Sequence, residues 1–346
     1  MKRLQATEYT YASARLRALE SRIIGRERMD VLIEARSADE VMDRLAEYGL
    51  KPAEETEGVP AKGVSLGETV SAVREGMLLE VLRQAYSEAE AAVPDPALFR
   101  YFRYPYDCNN IKAAIKCAIR GISPSDMLFD FGTVPADRVE TLIREGDYKA
   151  WPAAMAAAIP EAREAYDKTG DPRRIDTVLD KACYADMLTA AGATGDETLM
   201  GWLSARVDLT NILTTLRLLR MNMGAVGADF LEESLLPGGR LTATFFMDVY
   251  ASGEAGLWDA LIPTAYDKLS RVEGDPRPLS AVEKACDDLY MDLVREGTRI
   301  PFGAPVVGGY LIGCETAVKN IRILLAAKDA GLSPEVIRER IRASYV

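Results

Sequence analysis

The sequence predicts an all-α protein, and three observations support this prediction. Apolar residues recur every three or four positions, as at Ile111, Ile115 and Ile119, which is the period of an amphipathic helix. Residues that start or stop helices flank these stretches. Alternating patterns typical of strands are scarce, and the pattern at 242–246 is too short to form a sheet.

The helices can be followed in order along the chain. Apolar stripes predict helices at residues 12–24, 111–119, 136–144, 212–219 and 318–325. Asp107 is placed to cap the second of these, and Gly121 to end it. Ser-Pro pairs predict further helix starts at Pro124 and Pro334. Glycine- and proline-rich loops or turns are predicted at 54–67, 236–239 and 299–309.

Internal repeats organise this pattern. Four landmarks recur in the same order, 103 to 107 residues apart. They are Gly132 and Gly239, Trp151 and Trp258, Gly170-Asp171-Pro172-Arg173 and Gly274-Asp275-Pro276-Arg277, and Lys181-Ala182-Cys183 and Lys284-Ala285-Cys286. Four matches in order indicate a duplicated unit rather than coincidence.

An Asn-Ile pair extends the repeat to three copies, at Asn110, Asn211 and Asn320. A glycine is predicted to close each of these helices 11 to 13 residues after the Asn, at Gly121, Gly224 and Gly331. We therefore expect three similar helical units of about 100 residues each. Their expected boundaries are 1–125, 126–230 and 231–346.

Composition excludes several classes of function. The 346 residues include 42 Lys and Arg, 53 Asp and Glu, and no histidine, for a net charge of −11. Without histidine there is no Ser-His-Asp or Cys-His catalysis and no His-ligated zinc. The acidic balance argues against binding to duplex nucleic acid and favours a protein partner.

Cysteine usage and hydropathy indicate the compartment. Five cysteines without a C-x-x-C pair predict buried thiols in a reducing cytosol. The N-terminus lacks the apolar core of a signal peptide. The weakly polar stretch 151–160 falls far short of the roughly 20 residues that cross a bilayer, so we expect no direct membrane span.

The repeated asparagines are the first candidate site. Asn disfavours helix interiors, so Asn110, Asn211 and Asn320 beside apolar stripes need a reason. They could form a symmetric polar site about a threefold axis. Alternatively, each could make a hydrogen bond that fixes how its unit packs, and this is the interpretation we favour.

The other polar motifs have structural interpretations. Asp171 and Asp275 are expected as N-caps, with Pro172 and Pro276 in the first helical turn, and no glycine-rich phosphate loop accompanies them. Acidic runs at 54–57 and 287–292 are typical of solvated faces. Cys183 and Cys286 are expected to be small buried apolar groups. No catalytic residue, cofactor site or metal site is predicted.

Positive charge concentrates at the C-terminus. The residues are Lys319, Arg322, Lys328, Arg338, Arg340 and Arg342. They could complement helix-end dipoles or form a basic face for an acidic partner, and the sequence leaves both possibilities open.

Five segments carry a resemblance to a known family: 11–18, 107–112, 208–217, 309–324 and 337–346. Together they resemble the C subunit of prokaryotic V-type (A-type) ATP synthases, which is related to the d subunit of eukaryotic vacuolar ATPases. The resemblance extends over nearly the whole chain. Two departures are the missing Asp before Asn320 and the segment 58–76, which has no family signature.

The resemblance implies an architecture and a role. Such proteins consist of three similar helical-bundle domains about a pseudo-threefold axis, which form a funnel. The funnel is peripheral, on the cytoplasmic side of the membrane, and its partners are the membrane rotor ring and the central shaft. It has no cofactor and no catalytic residue. On this basis we expect Arg322, Arg338, Arg340 and Arg342 near a partner interface.

Two alternatives remain open from the sequence. One is a free-standing helical-repeat scaffold that binds a protein partner, although units of this length exceed the roughly 20–45 residues of most solenoid repeats. The other is an enzyme that uses carboxylates without a metal, which requires an enclosed pocket with strongly shifted acids.

Overall fold

The computed structural model describes residues 4–50 and 66–346, with side chains described for 4–50 and 73–346. This part of the chain contains fourteen α-helices and no strand, which confirms the all-α prediction. The α-helices are α1 (Thr10–Glu20), α2 (Arg26–Ile33), α3 (Ala38–Glu47), α4 (Leu66–Ala92), α5 (Tyr104–Arg120), α6 (Ala136–Glu145), α7 (Ala153–Thr169), α8 (Arg173–Thr194), α9 (Glu197–Met221), α10 (Gly224–Ser234), α11 (Ala243–Leu261), α12 (Leu279–Glu296), α13 (Ala304–Asp329) and α14 (Pro334–Arg338). Short 3-10 helices lie at Ala6–Tyr9, Pro96–Arg103, Ser125–Met127, Asp267–Arg271 and Gly297–Arg299.

The chain forms two compact units. The first consists mainly of Ala97–Glu273 and contains α5 to α11. The second combines Gln5–Pro96 with Gly274–Val346, so helices from both ends of the chain pack together. Within it, α1, α3 and α4 all contact α13. The division of the sequence into three similar units stays a prediction.

Two long helices have large buried faces, and α13 is buried on all sides over its first eleven residues. In α13 every residue from Ala304 to Cys314 is buried, and this stretch carries no charge. α9 buries twelve of its residues, including Trp202, and lies in the first unit. A helix that is apolar around its whole circumference must lie inside a core. Asn211 of α9 and Asn320 of α13 are both buried.

α7 and α8 form an antiparallel hairpin in the first unit. α7 buries Met155, Ile159 and Ala162 completely. Asp186 of α8 accepts hydrogen bonds from the first free N–H groups of α7, at Ala154 (3.0 Å) and Met155 (2.8 Å). This carboxylate caps α7 from the neighbouring helix, because the first N–H groups of a helix have no partner within it.

Two of the predicted helix stops are confirmed. Gly121 (φ 67°) and Gly331 (φ 66°) take the left-handed conformation after α5 and α13. The third prediction is wrong: α9 ends at Met221, and Asn222 takes the left-handed conformation (φ 49°). Asn tolerates this conformation better than other side chains do, so it can replace glycine here.

The predicted N-cap roles of Asp107 and Asp275 are wrong. α5 begins three residues before Asp107, with a proline in its first turn, so Asp107 lies inside the helix. α12 begins at Leu279, well after Asp275 and Pro276, because Pro278 keeps the preceding residue out of the helical conformation.

Asp171 caps α8 as predicted, but it lies one residue before the N-cap position, which Pro172 occupies. α8 begins at Arg173 with Pro172 before it, and the carboxylate of Asp171 accepts a hydrogen bond from the Arg173 N–H (3.0 Å).

The predicted helix at 136–144 is confirmed by α6. The acidic residues of 54–57 lie outside the described residues, as does the predicted loop at 54–67 up to the start of α4.

α11 contains a sharp break at Gly253, whose backbone (φ 81°, ψ −176°) is open almost only to glycine. Nothing lies within 4 Å of the position that a Cβ would take there. Gly76 in α4 also has open space around it, but without a positive φ.

We therefore predict opposite effects of alanine at these two positions. Gly253→Ala should lower the free energy of unfolding by about 1–3 kcal/mol through backbone strain. Gly76→Ala should raise it by about 0.5–1 kcal/mol, because alanine loses less backbone entropy in a helix. Urea unfolding followed by far-UV circular dichroism measures both. Equal effects of the two substitutions would contradict the assigned backbone at Gly253.

Candidate functional site

Each repeated asparagine holds the backbone of one residue further along the chain. In every copy the amide nitrogen donates to that residue's carbonyl oxygen, and the amide oxygen accepts from its N–H. The pairs and distances are Asn110 with Phe129 (2.8 and 2.8 Å), Asn211 with Leu236 (3.0 and 2.9 Å) and Asn320 with Arg342 (3.0 and 2.9 Å). We call this arrangement the Asn clamp.

The Asn clamp fixes a non-helical segment further along the chain, which lies after α5 in the first copy, after α10 in the second and after α14 in the third. The three asparagines are at most 2% exposed, so their amides lie away from solvent. The backbone N–H and C=O groups that face these buried amides lie outside regular structure and need partners. One carboxamide supplies both partners at once, which explains why Asn is tolerated inside these helices.

A buried aspartate adds a second contact in the first copy. Asp107 accepts hydrogen bonds from the backbone of Thr133 (2.9 and 3.0 Å) and Val134 (3.1 Å), and from the Thr133 hydroxyl (2.7 Å). A Cβ on Gly132 would lie 2.3 Å from the Asp107 carboxylate. Burial raises the pKa of Asp107, while these hydrogen bonds act in the opposite direction.

The second copy repeats this contact with Asp208. Its carboxylate accepts hydrogen bonds from the N–H of Arg240 (2.9 Å) and Leu241 (3.0 Å), and from the Tyr266 hydroxyl (2.6 Å). A Cβ on Gly239 would lie 2.1 Å from the carboxylate. The glycine landmark of the repeat therefore has a physical reason: a backbone segment passes directly against a buried Asp.

The third copy lacks the aspartate and uses the C-terminus instead. Tyr345 packs against Gly309 and Gly313 of α13, where a Cβ on Gly313 would lie 2.7 Å from its ring. The Tyr345 hydroxyl donates to Glu20 (3.1 Å) and accepts from Arg17 (3.3 Å). Sequence reasoning missed this contact, although the Gly-x-x-x-Gly spacing in a buried helix was the available signal.

The acidic residues at 287–288 are not simply solvated. Asp287 pairs with Arg342 (2.9 Å) and Lys319 (2.5 Å). Asp288 pairs with Lys284 and accepts a hydrogen bond from the Ala343 N–H (2.6 Å). These carboxylates hold the C-terminal segment beside the third Asn clamp.

The four C-terminal arginines lie in different surroundings. Arg322 forms a two-point ion pair with Glu75 (2.8 and 2.5 Å), and Arg338 pairs with Glu34. Arg342 is occupied by Asp287. Arg340 is exposed, and its guanidinium forms no ion pair within the described part of the chain.

The cysteines are small buried groups, as the sequence predicted. All five are buried free thiols. A hydrogen bond with Cys108, together with burial, raises the pKa of Cys183. Burial raises the pKa of Cys314 to about 12. Thiols that stay protonated are poor nucleophiles, so neither group is suited to covalent catalysis.

Among the described residues, no helix is both long enough and apolar enough to cross a membrane.

The Asn clamp predicts a specific loss of stability. Asn110→Ala should lower the free energy of unfolding by about 1–3 kcal/mol, because it leaves the Phe129 N–H and C=O without partners. Asn109 is its neighbour on α5 but is exposed, so Asn109→Ala should change stability by less than about 0.5 kcal/mol. Urea unfolding of both variants tests this. Similar losses in the two variants would contradict the role of the clamp.

The hydrogen bond from Tyr266 to Asp208 predicts a dependence on alkaline pH. Burial, and then this bond, raise the pKa of Tyr266 above its ordinary value of 10.0. Above pH 10 the unfolded chain loses this proton while the folded chain keeps it, so stability falls by about 1.4 kcal/mol per pH unit. Tyr266→Phe should remove that part of the slope. Urea unfolding at several values between pH 9.5 and 11 measures it, and an unchanged slope would contradict the assignment.

Comparison with known proteins agrees with the resemblance. The family profile described as ATP synthase (C/AC39) subunit matches residues 12–340. The C subunit of the A-type ATP synthase from Thermococcus onnurineus is 25% identical, with 97% of this chain and 90% of the relative aligned. The protein of the same name from Methanocaldococcus jannaschii is 22% identical over 95% of this chain and 85% of its own length.

A bacterial relative extends the comparison. The C subunit of the V-type sodium ATPase of Enterococcus hirae is 22% identical over 73% of this chain and 77% of its own length. The family profile covers nearly the whole chain, including all three Asn clamp helices. The chain therefore belongs to the ATP synthase (C/AC39) subunit family.

Proposed function

We propose that this chain is a non-catalytic central-stalk subunit of an A/V-type ATP synthase. It acts as a socket that couples the central shaft to the ion-carrying rotor ring, in proton or sodium transport linked to ATP synthesis or hydrolysis. The observation that carries the proposal is the family match over residues 12–340. The names of the archaeal and bacterial relatives support it.

The hydrogen bonds and ion pairs within each unit suit a subunit that transmits torque. An element between shaft and ring must resist twisting, which favours packed helices over mobile loops. The Asn clamps hold connecting segments with buried hydrogen bonds. In the second unit, Lys328 donates to the Ile33 carbonyl (2.6 Å) and Arg74 bridges Asp39 (3.0 Å) and Asp329 (2.7 Å), so these contacts tie α13 to the N-terminal helices.

We further propose three equivalent units about a pseudo-threefold axis, at 1–125, 126–230 and 231–346. The support is local. The first two copies share the buried Asp, the glycine against it and the Asn clamp, and the third shares the clamp. A funnel of this kind offers a concave surface to a single shaft.

The proposed partners are the rotor-ring subunit and the central-shaft subunits, on the cytoplasmic side of the membrane. We place Arg322, Arg338, Arg340 and Arg342 near one of these interfaces. Arg340 is the best placed of the four to meet an acidic partner, since the other three have acidic partners within the chain.

A single-molecule experiment tests the rotor assignment. The five native cysteines are buried, so a Lys149→Cys variant can be labelled selectively at an exposed position. With the catalytic head of the complex immobilised, a bead attached at residue 149 should rotate when ATP is added. A stationary bead on an active complex would identify a stator subunit and contradict the proposal. A chain that never co-purifies with the complex would favour a free-standing scaffold.

Charge reversal tests the interface assignment. Arg340→Glu should weaken assembly with purified ring or shaft subunits by about three- to tenfold at low salt, because an exposed interface charge acts mainly on association. The difference should shrink in about 0.5 M salt. Arg144→Glu makes the same charge change at an exposed position of α6 and serves as the control. Equal binding by the two variants would remove Arg340 from the interface.

A further inference from the structure

The α7–α8 hairpin carries an open groove of about 700 Å³ in the first unit. We call it the alanine groove, because Ala154, Ala157, Ala165, Ala182 and Ala185 line much of it. Lys181 of α8 also lines it. Short side chains on two adjacent helices allow a third backbone to approach closely.

Lys181 has no ion-pair partner in the described part of the chain. Burial lowers its pKa, and the carboxylates of Glu161 and Glu232 offset this from a distance without forming an ion pair. The other cations of the groove are occupied: Lys168 pairs with Glu164 (2.6 Å) and Arg174 with Glu233. The groove therefore contains one half-buried positive charge, Lys181, that no carboxylate in the described part of the chain neutralises by contact, and one exposed carboxylate, Glu161, also lines it.

Comparison with the equivalent lysine of another repeat copy shows that the lack of an ion pair within the described residues is specific to Lys181. The Lys-Ala-Cys landmark places Lys284 of α12 at the position equivalent to Lys181. Lys284 pairs with Asp288, one helical turn later. The residue one turn after Lys181 is Ala185, which lines the groove. The copy with the groove thus has alanine where the other copy has the neutralising carboxylate.

The size of the groove fits a helix. One helical turn rises 5.4 Å and is about 10 Å wide with its side chains, so it fills roughly 420 Å³. The groove volume exceeds this, so at least one turn of a helix can lie along it. A segment of this length presents one or two side chains to a given point on α8, which suffices for one ion pair.

We propose that the alanine groove receives a helix of a partner subunit, with an Asp or Glu of that helix paired to Lys181. The proposal rests on the proposed function, since the partner is another subunit of the same complex. Docking of the helix buries Lys181 further, and the partner's carboxylate replaces the interactions with water that the Lys181 ammonium group loses. The expected partner surface is a helix face of small or apolar residues with one acidic side chain.

Crosslinking from the groove tests the occupant. A photoreactive amino acid at Ala157, an exposed position of the groove, is introduced into the full chain, and the chain is assembled with the other subunits of its complex. The crosslinked peptide, identified by mass spectrometry, should come from a helix that contains an acidic residue. No crosslink in an assembled complex, a crosslink to a second copy of this chain, or one to a non-helical segment would overturn the proposal.

Charge variants test the role of Lys181. Lys181→Glu should weaken assembly at least tenfold, Lys181→Arg should retain it, and Lys149→Glu should stay within about twofold of the unsubstituted chain. Changing the crosslinked partner's acidic residue to Lys should restore assembly with the Lys181→Glu chain. Glu161→Gln should not weaken assembly, because it removes a carboxylate that competes with the partner for Lys181. A loss as large as that of Lys181→Glu would contradict the proposal.

These outcomes distinguish the proposed groove contact from the proposed stalk function. Thermal unfolding of each variant alone shows whether the fold is retained, and Lys181→Met provides a neutral substitution if the glutamate variant does not fold. A complex that assembles normally with Lys181→Glu and with Lys181→Met refutes the groove contact but leaves the stalk function intact. A chain that does not enter the complex in its unsubstituted form refutes the stalk function itself.

Discussion

A carboxamide inside a helix needs partners for its donors and its oxygen, and here a single backbone residue supplies them. This exchange of two hydrogen bonds occurs at Asn110, Asn211 and Asn320, each time between a helix and a non-helical segment further along the chain. Because these segments lie outside regular structure, they have no ladder of their own to satisfy the clamped residue. The positions of the connecting segments in both compact units depend on this contact.

Other features follow from this constraint. Once the segment after α10 is held at Leu236, its next residues pass within reach of Asp208. The close approach then admits only glycine at position 239. In the first two copies the Asp-x-x-Asn pair and the later glycine are therefore the trace of one three-part contact, although the number of residues between Asn and Gly differs between the copies.

The sequence predicted what depends on local periodicity. The all-α class and the ends of α5 and α13 followed from apolar spacing and from glycines that allow a left-handed stop. The cap assignments failed where a tertiary contact competed: Asp107 bonds to a segment 26 residues away instead of its own helix. A helix start likewise moved where Pro278 follows the Gly-Asp-Pro motif. Local propensity cannot anticipate either result.

The candidate site, like the fold, could be predicted from the sequence only in part. Sequence spacing singled out the asparagines but could not show which backbone each one contacts, because the partner lies at a different distance in each copy. The basic C-terminal residues were recognised as a group, yet most of them pair with acids from distant parts of the chain, such as Glu75 and Glu34. The groove beside Lys181 was not predictable, since it arises from alanines on two helices that meet only in the fold.

The third clamp has a consequence for the order of synthesis. Its backbone partner is Arg342, and beyond it Tyr345 is seated against α13 while the Val346 carbonyl accepts a hydrogen bond from the Arg26 N–H. The first unit consists mainly of one uninterrupted segment, Ala97–Glu273, which is translated before the C-terminal part of the second unit. The second unit cannot be completed until Arg342 and Tyr345 have left the ribosome, although its N-terminal helices are synthesised first. The two units are therefore completed at different times, and the unit that contains the first helices of the chain is completed last.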